Sequence, residues 1–476
     1  MSVVYYQVVL LRNDTAGEIP FVGILQSRRS AWSTIFVLAF FELLNFGDHT
    51  FQTIIITSLQ VFLLFPSKLS SDYQVTMDGS AADSSNAKYT AFELYVPLPY
   101  RSLLLLNIGL FLWNICLDVF AKFRIDFTSV MGLTHPDVSQ RTMRGRSRTL
   151  LTRITALNAA NYLTYIFLMN MGSSSMIVEL LPLFGIICTF SALLYPSILV
   201  GGKDTPEAAY YRQTWSRIIK GNIDITRRTN DILLSDTITS YSKVIVDFLT
   251  YLSALLLGYR FLPSEGKKLP EDHMSLYNMD ILLSYYPSMV RIRQSWMEYK
   301  EGRKGKSPLY NCIKYITALI PIIGTVLYRA RYVSTLSIWY WGMLINTTFS
   351  FIWDVSNDWD LGVLKGLITS DNRKGPKKDS EVFREGLSFP QPYYVGAVLI
   401  DMLLRYIWIW RLIFPPGLVS SSHIGSFFSL LHTTEEGRLT LEFLEIVRRW
   451  VWIIFRVDAD YCKLGTDKKD IPMRAV

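Results

Sequence analysis

Acidic and basic side chains recur inside the apolar segments of this chain, and the densest example lies near its end. Residues 401–411 read Asp-Met-Leu-Leu-Arg-Tyr-Ile-Trp-Ile-Trp-Arg, within an apolar run from about Tyr393 to Phe414 that is long enough to cross a bilayer. Asp401, Arg405 and Trp408 stand at i, i+4 and i+7, a spacing that predicts one helical face. Charges in a membrane helix usually face a bundle interior or a water-filled cavity. An arginine held there by an acid suits an oxyanion such as phosphate, because its planar guanidinium can donate two parallel hydrogen bonds.

Further polar clusters lie in or beside other apolar segments. They are Asp236–Asp247, Arg291–Gln294, Lys314–Tyr315, Trp353–Trp359 and Arg448–Arg456. A single charge near a helix end often extends to the interface, and a single tryptophan or tyrosine is more often part of the interfacial aromatic belt. Because acids and bases repeat at similar depth across these segments, the set as a whole favours a shared polar pathway.

The sequence offers no constellation for catalysis or for a metal ion. None of the 5 histidines stands at ligand spacing from another histidine or a cysteine, and Gly-rich phosphate loops and a GxSxG motif are absent. The acid pairs alone would suit a cation, but arginine and lysine at similar depth favour an anion. We therefore expect a protein that is not an enzyme and has no metal ion and no cofactor.

The composition is that of a membrane protein. Of the 476 residues, 50% are hydrophobic and only 18% are charged, whereas soluble domains are about one quarter charged. The formal net charge of +8 is best explained by basic connections that face an anionic cytoplasmic leaflet and its lipids, because no soluble stretch is long enough to read nucleic acid. The 4 cysteines lie far apart and predict free thiols rather than disulfides.

Apolar segments alternate with basic connections along most of the chain. The apolar segments fall at about 31–65, 101–123, 154–172, 176–200, 238–262, 279–297, 310–328, 332–353, 393–414 and 424–455. The basic connections include Arg141–Arg153, Arg212–Arg228, Lys300–Lys306 and Lys365–Lys378, and the positive-inside rule places them in the cytosol. These patterns predict an all-α polytopic membrane protein of about ten transmembrane helices, with both termini cytosolic and the last six helices forming a polar substrate pathway.

Three regions are expected along the chain. Residues 1–90 hold one poorly defined apolar segment and a Ser- and Asp-rich stretch, 70–87, that is typical of a flexible loop. Residues 91–461 form the transmembrane domain, and residues 462–476 form a cytosolic tail.

The polar motifs, taken in order, resemble those of the EXS-domain family. The motifs are Pro-Leu-Pro-Tyr-Arg at 97–101, Leu234–Ser240, Arg291-x-x-Gln294, Lys314-Tyr315, Trp353–Trp359, Phe389–Tyr394, Asp401–Trp408 and Glu445–Arg456. The family includes phosphate exporters related to the xenotropic and polytropic retrovirus receptor, and a short fungal Golgi branch named for defective retention of ER proteins. Only about 30 residues precede the first apolar run, too few for the cytosolic SPX domain of the exporters. The chain therefore resembles the fungal branch more closely.

The resemblance implies movement of inorganic phosphate from the Golgi lumen to the cytosol. Matched to the exporters, the substrate-binding residues are Asp236, Lys314, Tyr315, Asp354, Asp358, Arg405, Arg448 and Arg449. The gating or orienting residues are Asp401, Trp408, Thr239, Arg291 and Gln294. Two positions depart from the exporters: Thr239 replaces an asparagine, and Asp280 falls where the exporters have an arginine on the outer side. We therefore expect capture of phosphate from the lumen to differ.

Two functions from different classes stay open at this stage. In a phosphate transporter or channel, Arg405 and Lys314 would attract the anion while neighbouring acids keep its binding weak enough for release. In a sorting or scaffolding protein, cytosolic segments 366–390 and 462–476 would retain Golgi glycosyltransferases, with coat or sorting factors as further partners. A scaffold does not need the intramembrane charges, so these favour transport. The expected location is the Golgi membrane, with the ER membrane as the alternative.

Overall fold

The chain is helical throughout the part that the structure describes. The computed structural model describes residues 89–133, 139–172, 176–200, 205–258, 260–262, 279–302, 305–329, 331–362, 383–384, 386–414 and 423–469. These ranges contain helices and turns and no strand, which confirms the all-α prediction. The predicted apolar segment 31–65, the loop at 70–87 and most of the segment 366–390 lie outside the described residues.

The helices follow one another with short connections. They are α1 Ala91–Tyr95, α2 Leu98–Lys122, α3 Phe127–Val130, α4 Gln140–Asn170, α5 Met176–Leu194, α6 Ser197–Val200, α7 Pro206–Ile219, α8 Arg228–Ser240, α9 Ser242–Leu256, α10 Met279–Lys300, α11 Ser307–Thr317, α12 Leu319–Arg329, α13 Ser337–Trp353, α14 Gln391–Arg405, α15 Ile409–Ile413, α16 His423–Thr433 and α17 Glu435–Lys469. A 3₁₀ turn, Ile225–Arg227, precedes α8, and a π-helical turn, Asp354–Asp358, continues α13.

Three segments among the described residues are long and apolar enough to cross a membrane. They are α2, α5 and the pair α11 and α12 taken together, Ser307–Arg329. On α2, the side chains of Leu104, Phe111 and Ile115 are exposed, as expected of a face in contact with lipid. The chain is thus a helical membrane protein, and the count of ten spans and the cytosolic placement of the termini stay predictions.

The basic run 141–153 lies on a helix rather than in a loop. Helix α4 begins at Gln140, where the Ser139 hydroxyl accepts a hydrogen bond from the Thr142 amide at 3.1 Å. The arginines of the run therefore stand on the first turns of α4, and Arg148 pairs with Asp118 at 2.7 Å. The prediction of a basic connection is wrong at this point, because a good N-cap and long unbranched side chains extend the helix ahead of its apolar part.

The apolar run 393–414 is not one continuous helix. Helix α14 ends at Arg405, and the chain turns through Tyr406–Trp408 before α15 begins at Ile409. The backbone amide of Ile409 bonds to the carbonyl of Tyr406 at 3.0 Å, a tight i+3 contact, and the Tyr406 hydroxyl bonds to that of Thr348 at 2.8 Å. The i+7 argument that placed Trp408 on one helical face is therefore wrong, because tertiary contacts interrupt the helix.

The apolar run 424–455 likewise contains two helices, α16 and α17, with a turn at Thr434. The Thr434 hydroxyl accepts a hydrogen bond from the amide of Gly437 at 3.1 Å. A Cβ atom on Gly437 would lie only 2.4 Å from the carbonyl oxygen of Leu431, so this turn requires glycine. The run is therefore not one continuous helix, and the number of spans that it forms stays a prediction.

Helix α17 lies in the middle of the bundle and organises its core. It packs against α2, α8, α14, α16 and the π turn. Trp452 and Trp359 are almost fully buried in the largest apolar cluster, and the Trp359 indole donates to the backbone carbonyl of Trp452 at 3.2 Å. This contact fixes the π turn against the centre of α17, where the charged side chains lie.

Candidate functional site

The polar side chains of six segments meet in one buried network beside α17, which we call the central network. The segments are α8, α10, α11, the π turn, α14 and α17. The network contains the cations Arg291, Lys314, Arg405, Arg448, Arg449 and Arg456 and the carboxylates Asp236, Asp354, Asp358, Asp401, Glu445 and Asp460. Cations and acids are equal in number, so the network is formally neutral. This balance suits a low-dielectric interior, where an unpaired charge is very costly.

Asp354, in the π turn, is the hub of the network. Its side chain is 1% exposed and lies within ion-pair distance of three cations. One carboxylate oxygen pairs with Arg405 and lies 3.9 Å from Nη1 of Arg448, and the other lies 3.3 Å from Nζ of Lys314. One acid thus joins cations that three different helices supply.

The two arginines of α14 and α17 share a second acid. The guanidinium of Arg405 donates through Nε to Asp401 at 2.8 Å, the i, i+4 pair that the sequence predicts. The other oxygen of Asp401 lies 3.0 Å from Nη1 of Arg448, and Arg448 also pairs with Glu445 one turn earlier on α17, at 2.6 Å. The side chains of Arg405 and Arg448 are therefore fixed on more than one side, which sets their orientation.

The π turn brings two acids to one lysine. The amide of Trp359 bonds to the carbonyl of Asp354 at 2.9 Å, one residue further along the chain than in an α-helix. In this wider turn, Nζ of Lys314 lies 3.3 Å from Asp354 and 3.8 Å from Asp358. Turns of this kind occur frequently at functional sites. The π turn was not predicted from the sequence, although the spacing of the two acids did predict that they share one face.

Asp236, on α8, anchors a third group. Its carboxylate lies 2.7 Å from Nε of Arg291 and accepts a hydrogen bond from the Tyr315 hydroxyl. Arg291 also donates to Gln294 at 2.8 Å, and the Gln294 amide donates to the backbone carbonyl of Asn222 at 3.1 Å. Arg291 and Gln294 thus connect the centre of the bundle to the loop that follows α7.

Arg449 differs from the other cations of the network because it forms no ion pair within the described residues. Its Nε donates to the Ser240 hydroxyl at 2.8 Å and its Nη2 to the Thr239 hydroxyl at 3.3 Å. The guanidinium lies 4.8 Å from the ring centroid of Trp452, a cation–π contact. Neutral hydroxyls and an aromatic ring hold this side chain directly, and the acids that act on its charge, Asp236, Asp354 and Glu445, lie beyond ion-pair distance.

Sequence reasoning left some members of the network out of the predicted site. These members are Ser240, Glu445, Arg456 and Asp460. A signal for Arg456 was available, because it follows Arg448 by eight residues on one helix and therefore lies near the same face. Arg456 pairs with Asp358 at 2.6 Å. Asp460 follows one turn later, 3.4 Å from Nε of Arg456.

Two predicted positions lie apart from the ion pairs of the network. Trp408 is buried at the break between α14 and α15, and its indole donates to the hydroxyl of Thr347 at 3.2 Å. Its ring centroid lies 6.2 Å from that of Trp339, so it belongs to an aromatic group. Asp280 accepts from Arg329 at 3.1 Å, which joins the start of α10 to the end of α12. At this position the acid is therefore compensated by an arginine from a neighbouring helix.

Comparisons with known proteins agree with the sequence motifs. Residues 96–462 match the EXS family. Protein ERD1 of Kluyveromyces lactis is 34% identical over 242 residues, which are 49% of this chain and 59% of that protein. Protein ERD1 homolog 1 of Schizosaccharomyces pombe is 26% identical over 396 residues, 80% of this chain and 96% of that protein. Solute carrier family 53 member 1 of Mus musculus is 23% identical over 249 residues, 48% of this chain and 32% of that protein.

The family match includes every residue of the central network, from Asp236 to Asp460, and most of the chain. The resemblance inferred from the motifs is confirmed, and this protein belongs to the EXS family.

Proposed function

We propose that this protein is not an enzyme but a transporter or channel that moves inorganic phosphate across the Golgi membrane, from the lumen to the cytosol. The observation that carries the proposal is Arg449, a buried guanidinium that is held by two hydroxyls and an aromatic ring within a network of otherwise paired charges. A cation in this setting can bind an oxyanion without first giving up a direct ion pair.

In this proposal, phosphate binds beside Arg449 and is hydrogen-bonded by groups that already surround it. The Thr239 hydroxyl donates to the backbone carbonyl of Asp236 and the Ser240 hydroxyl donates to Glu445, both at 2.7 Å, so each would turn its proton from that partner to the ligand. Arg405 and Arg448 supply positive charge nearby through side chains that their acids hold in place. Thr239 takes the place of the asparagine of the exporters, and in this role a hydroxyl replaces an amide as the donor.

The acids of the network have a separate role in the proposal. Six cations without acids would bind phosphate too tightly to release it, since conduction needs a site that is both favourable to enter and weak enough to leave. Asp354 contacts three of these cations and lowers the charge that each presents. Phosphate passing through the network exchanges places with carboxylates rather than entering an uncompensated positive pocket.

The comparisons support the proposal of transport, and what they describe is the function of the relatives. The mouse relative is named as a solute carrier, and its similarity extends over 48% of this chain. The exporters that the motifs resemble move phosphate, and the charged positions of those motifs are the ones that meet in the central network. The partners in this proposal are phosphate and membrane lipids, with no role for nucleic acid.

The direct test is phosphate flux in liposomes that contain the purified protein. We expect uptake of radiolabelled phosphate well above that of protein-free liposomes, with slower uptake of chloride and little competition by it. The Arg449→Gln variant removes the charge and keeps a similar length of side chain, so it should lose most of the flux while remaining folded. Wild-type flux equal to that of protein-free liposomes, in a preparation shown to be folded, would sink the proposal.

A second candidate function is retention of Golgi or ER resident proteins without transport. The observation in its favour is coverage: the similarity to the Schizosaccharomyces pombe protein extends over 96% of that protein, whereas the similarity to the solute carrier extends over 32% of the latter. In this role, glycosyltransferases and sorting factors would be the partners. A transport-dead but folded Arg449→Gln variant separates the two, because a pure scaffold should still retain a Golgi glycosyltransferase in cells that carry it.

A further inference from the structure

We infer that Arg456 is a positioning residue for the phosphate site: it holds Asp358 away from Lys314 and so leaves the charge of the lysine available to the anion. The inference rests on the proposed transport function and adds a residue that the motif comparison did not place in the site. It follows from how unequally Asp358 is shared between two cations.

Lys314 is the most loosely paired of the network's cations that contact an acid. Its ammonium lies 3.3 Å from Asp354 and 3.8 Å from Asp358, both longer than a close charge-assisted hydrogen bond. Each of these acids has a closer arginine, Arg405 for Asp354 and Arg456 for Asp358. The arginines therefore occupy the acids that would otherwise neutralise the lysine.

Asp358 is in turn the acid that lies closest to Arg456. Its Nη1 lies 2.6 Å from Asp358, while its Nε lies 3.4 Å from Asp460 and forms no hydrogen bond. Asp460 is engaged elsewhere, since it accepts from the Thr229 hydroxyl at 2.8 Å. Arg456 is buried. Asp358 and Arg456 thus form the tighter pair.

Loss of Arg456 would release this acid. Asp358 would then have Lys314 as the one remaining cation within ion-pair distance among the described residues, and both side chains are buried. A buried carboxylate left without its arginine gains strongly by approaching the nearest ammonium. Asp358 would then close on Lys314 and compete with phosphate for it. Removing a cation would in this way weaken phosphate binding at a second cation that was not changed.

The experiment measures KM for phosphate in proteoliposomes. We expect Arg456→Gln to raise KM about tenfold, and the double variant Arg456→Gln with Asp358→Asn to return it to within about threefold of the wild type. The matched control is Arg384→Gln. It breaks another buried Arg–Asp pair, whose acid, Asp458, lies on the same helix as Arg456, and it should leave KM unchanged. Arg456→Lys keeps a positive charge near Asp358 and should change KM by less than about threefold.

The role of Lys314 supplies a second readout that simple destabilisation would not move. In a Lys314→Gln background, Arg456→Gln should cause no further rise in KM, since the charge that Asp358 would mask is already gone. An equal rise in both backgrounds, or a rise that Asp358→Asn does not reverse, would overturn the inference.

If Arg456→Gln does not fold, a second variant still tests the inference. Asp358→Asn alone should then lower KM about threefold and slow turnover, because Lys314 holds phosphate more tightly. An unchanged or higher KM would contradict the inference. Absence of flux in the wild type would instead contradict the proposed function, so the two failures are distinguishable.

Discussion

Two buried charge clusters contact α17, and they differ in how completely their charges are satisfied. One cluster contains Arg384, Tyr394 and Asp458. The fully buried carboxylate of Asp458 pairs with the Arg384 guanidinium and accepts a hydrogen bond from the Tyr394 hydroxyl. Arg384 also donates to the backbone carbonyl of Trp359. In the central network, by contrast, acids are shared among several cations, and Arg449 pairs with none of the described acids.

This difference separates a structural cluster from a site that can bind an anion. A closed Arg–Asp pair ties the segment before α14 to α17 and leaves no charge to offer. A network with shared acids, long pairs to Lys314 and a guanidinium held by hydroxyls keeps positive charge in reserve. Burial and charge alone therefore do not identify the functional cluster, and neither does hydrogen-bond satisfaction, since Nε of Arg384 has no hydrogen-bond partner among the described residues; the way the charges are paired does.

The largest effect on phosphate flux is expected for substitution of Arg405, in the central network. Arg405→Ala should reduce phosphate flux more than about a hundredfold, because it removes a charged bidentate donor from the network. The protein should still fold, since Asp354 keeps Lys314 and Arg448, and Asp401 keeps Arg448. Arg405→Lys should recover only part of the flux. Flux in proteoliposomes and thermal unfolding of the same preparations check this, and full transport by Arg405→Ala would refute it.

Substitution of Arg384 is expected to lower stability and to leave phosphate flux nearly unchanged. Arg384→Gln leaves Asp458 buried without its arginine and should lower the free energy of unfolding by about 3 kcal/mol. Phosphate flux per folded molecule should stay close to that of the wild type, because the pair lies outside the proposed pathway. Detergent-solubilised protein is compared by thermal unfolding, with flux normalised to the folded fraction. A change in KM for phosphate would erase the distinction between the two clusters.

A smaller effect is expected at Asp358, where transport and retention are measured together. Asp358→Asn keeps the shape of the side chain and removes its charge. Phosphate flux should therefore change a few-fold, which corresponds to about 1 kcal/mol in the free energy of the transition state. The dependence of flux on pH should change as well. If transport is the primary role, retention of a Golgi glycosyltransferase should weaken in the same cells. Normal flux with lost retention would favour a scaffold, and lost flux with normal retention would show that retention is independent of phosphate.

The smallest effect is expected at Trp408. Trp408→Phe keeps an aromatic ring against Trp339 and removes the indole N–H that donates to Thr347. The lost hydrogen bond corresponds to about 1 kcal/mol, so flux should change less than about fivefold. A hundredfold loss in the flux assay would instead show that the indole N–H itself is essential to the pathway.

Sequence reasoning predicted the helical class and assembled most of the central network. The helical spacing of Asp401 and Arg405 and the recurrence of charges at similar depth predicted a shared polar pathway, and the resemblance to the EXS-domain family supplied most of its residues. Local pattern does not encode the turn at Tyr406–Trp408 or the π turn at Asp354–Asp358. Both depend on tertiary contacts, such as the hydrogen bond from the Trp359 indole to α17.

The pairing within the network was also beyond the sequence. Spacing placed Asp354 and Asp358 on one face and the family resemblance added Lys314, but neither predicted the unequal distances that leave the lysine loosely paired. The absence of an acid beside Arg449, within the described residues, follows from the position of α8, which brings the Thr239 and Ser240 hydroxyls there instead. Which cation keeps its charge is thus decided by three-dimensional geometry.

The central claim is that Arg449, which no described acid pairs with directly, binds phosphate and that Arg384 does not. The most direct measurement compares phosphate flux for the wild type, Arg449→Gln and Arg384→Gln in proteoliposomes with equal amounts of folded protein. The account predicts a loss of about a hundredfold for Arg449→Gln, equivalent to about 2.7 kcal/mol, and little change for Arg384→Gln. Equal flux for Arg449→Gln and the wild type, or equal losses for both variants, would contradict it.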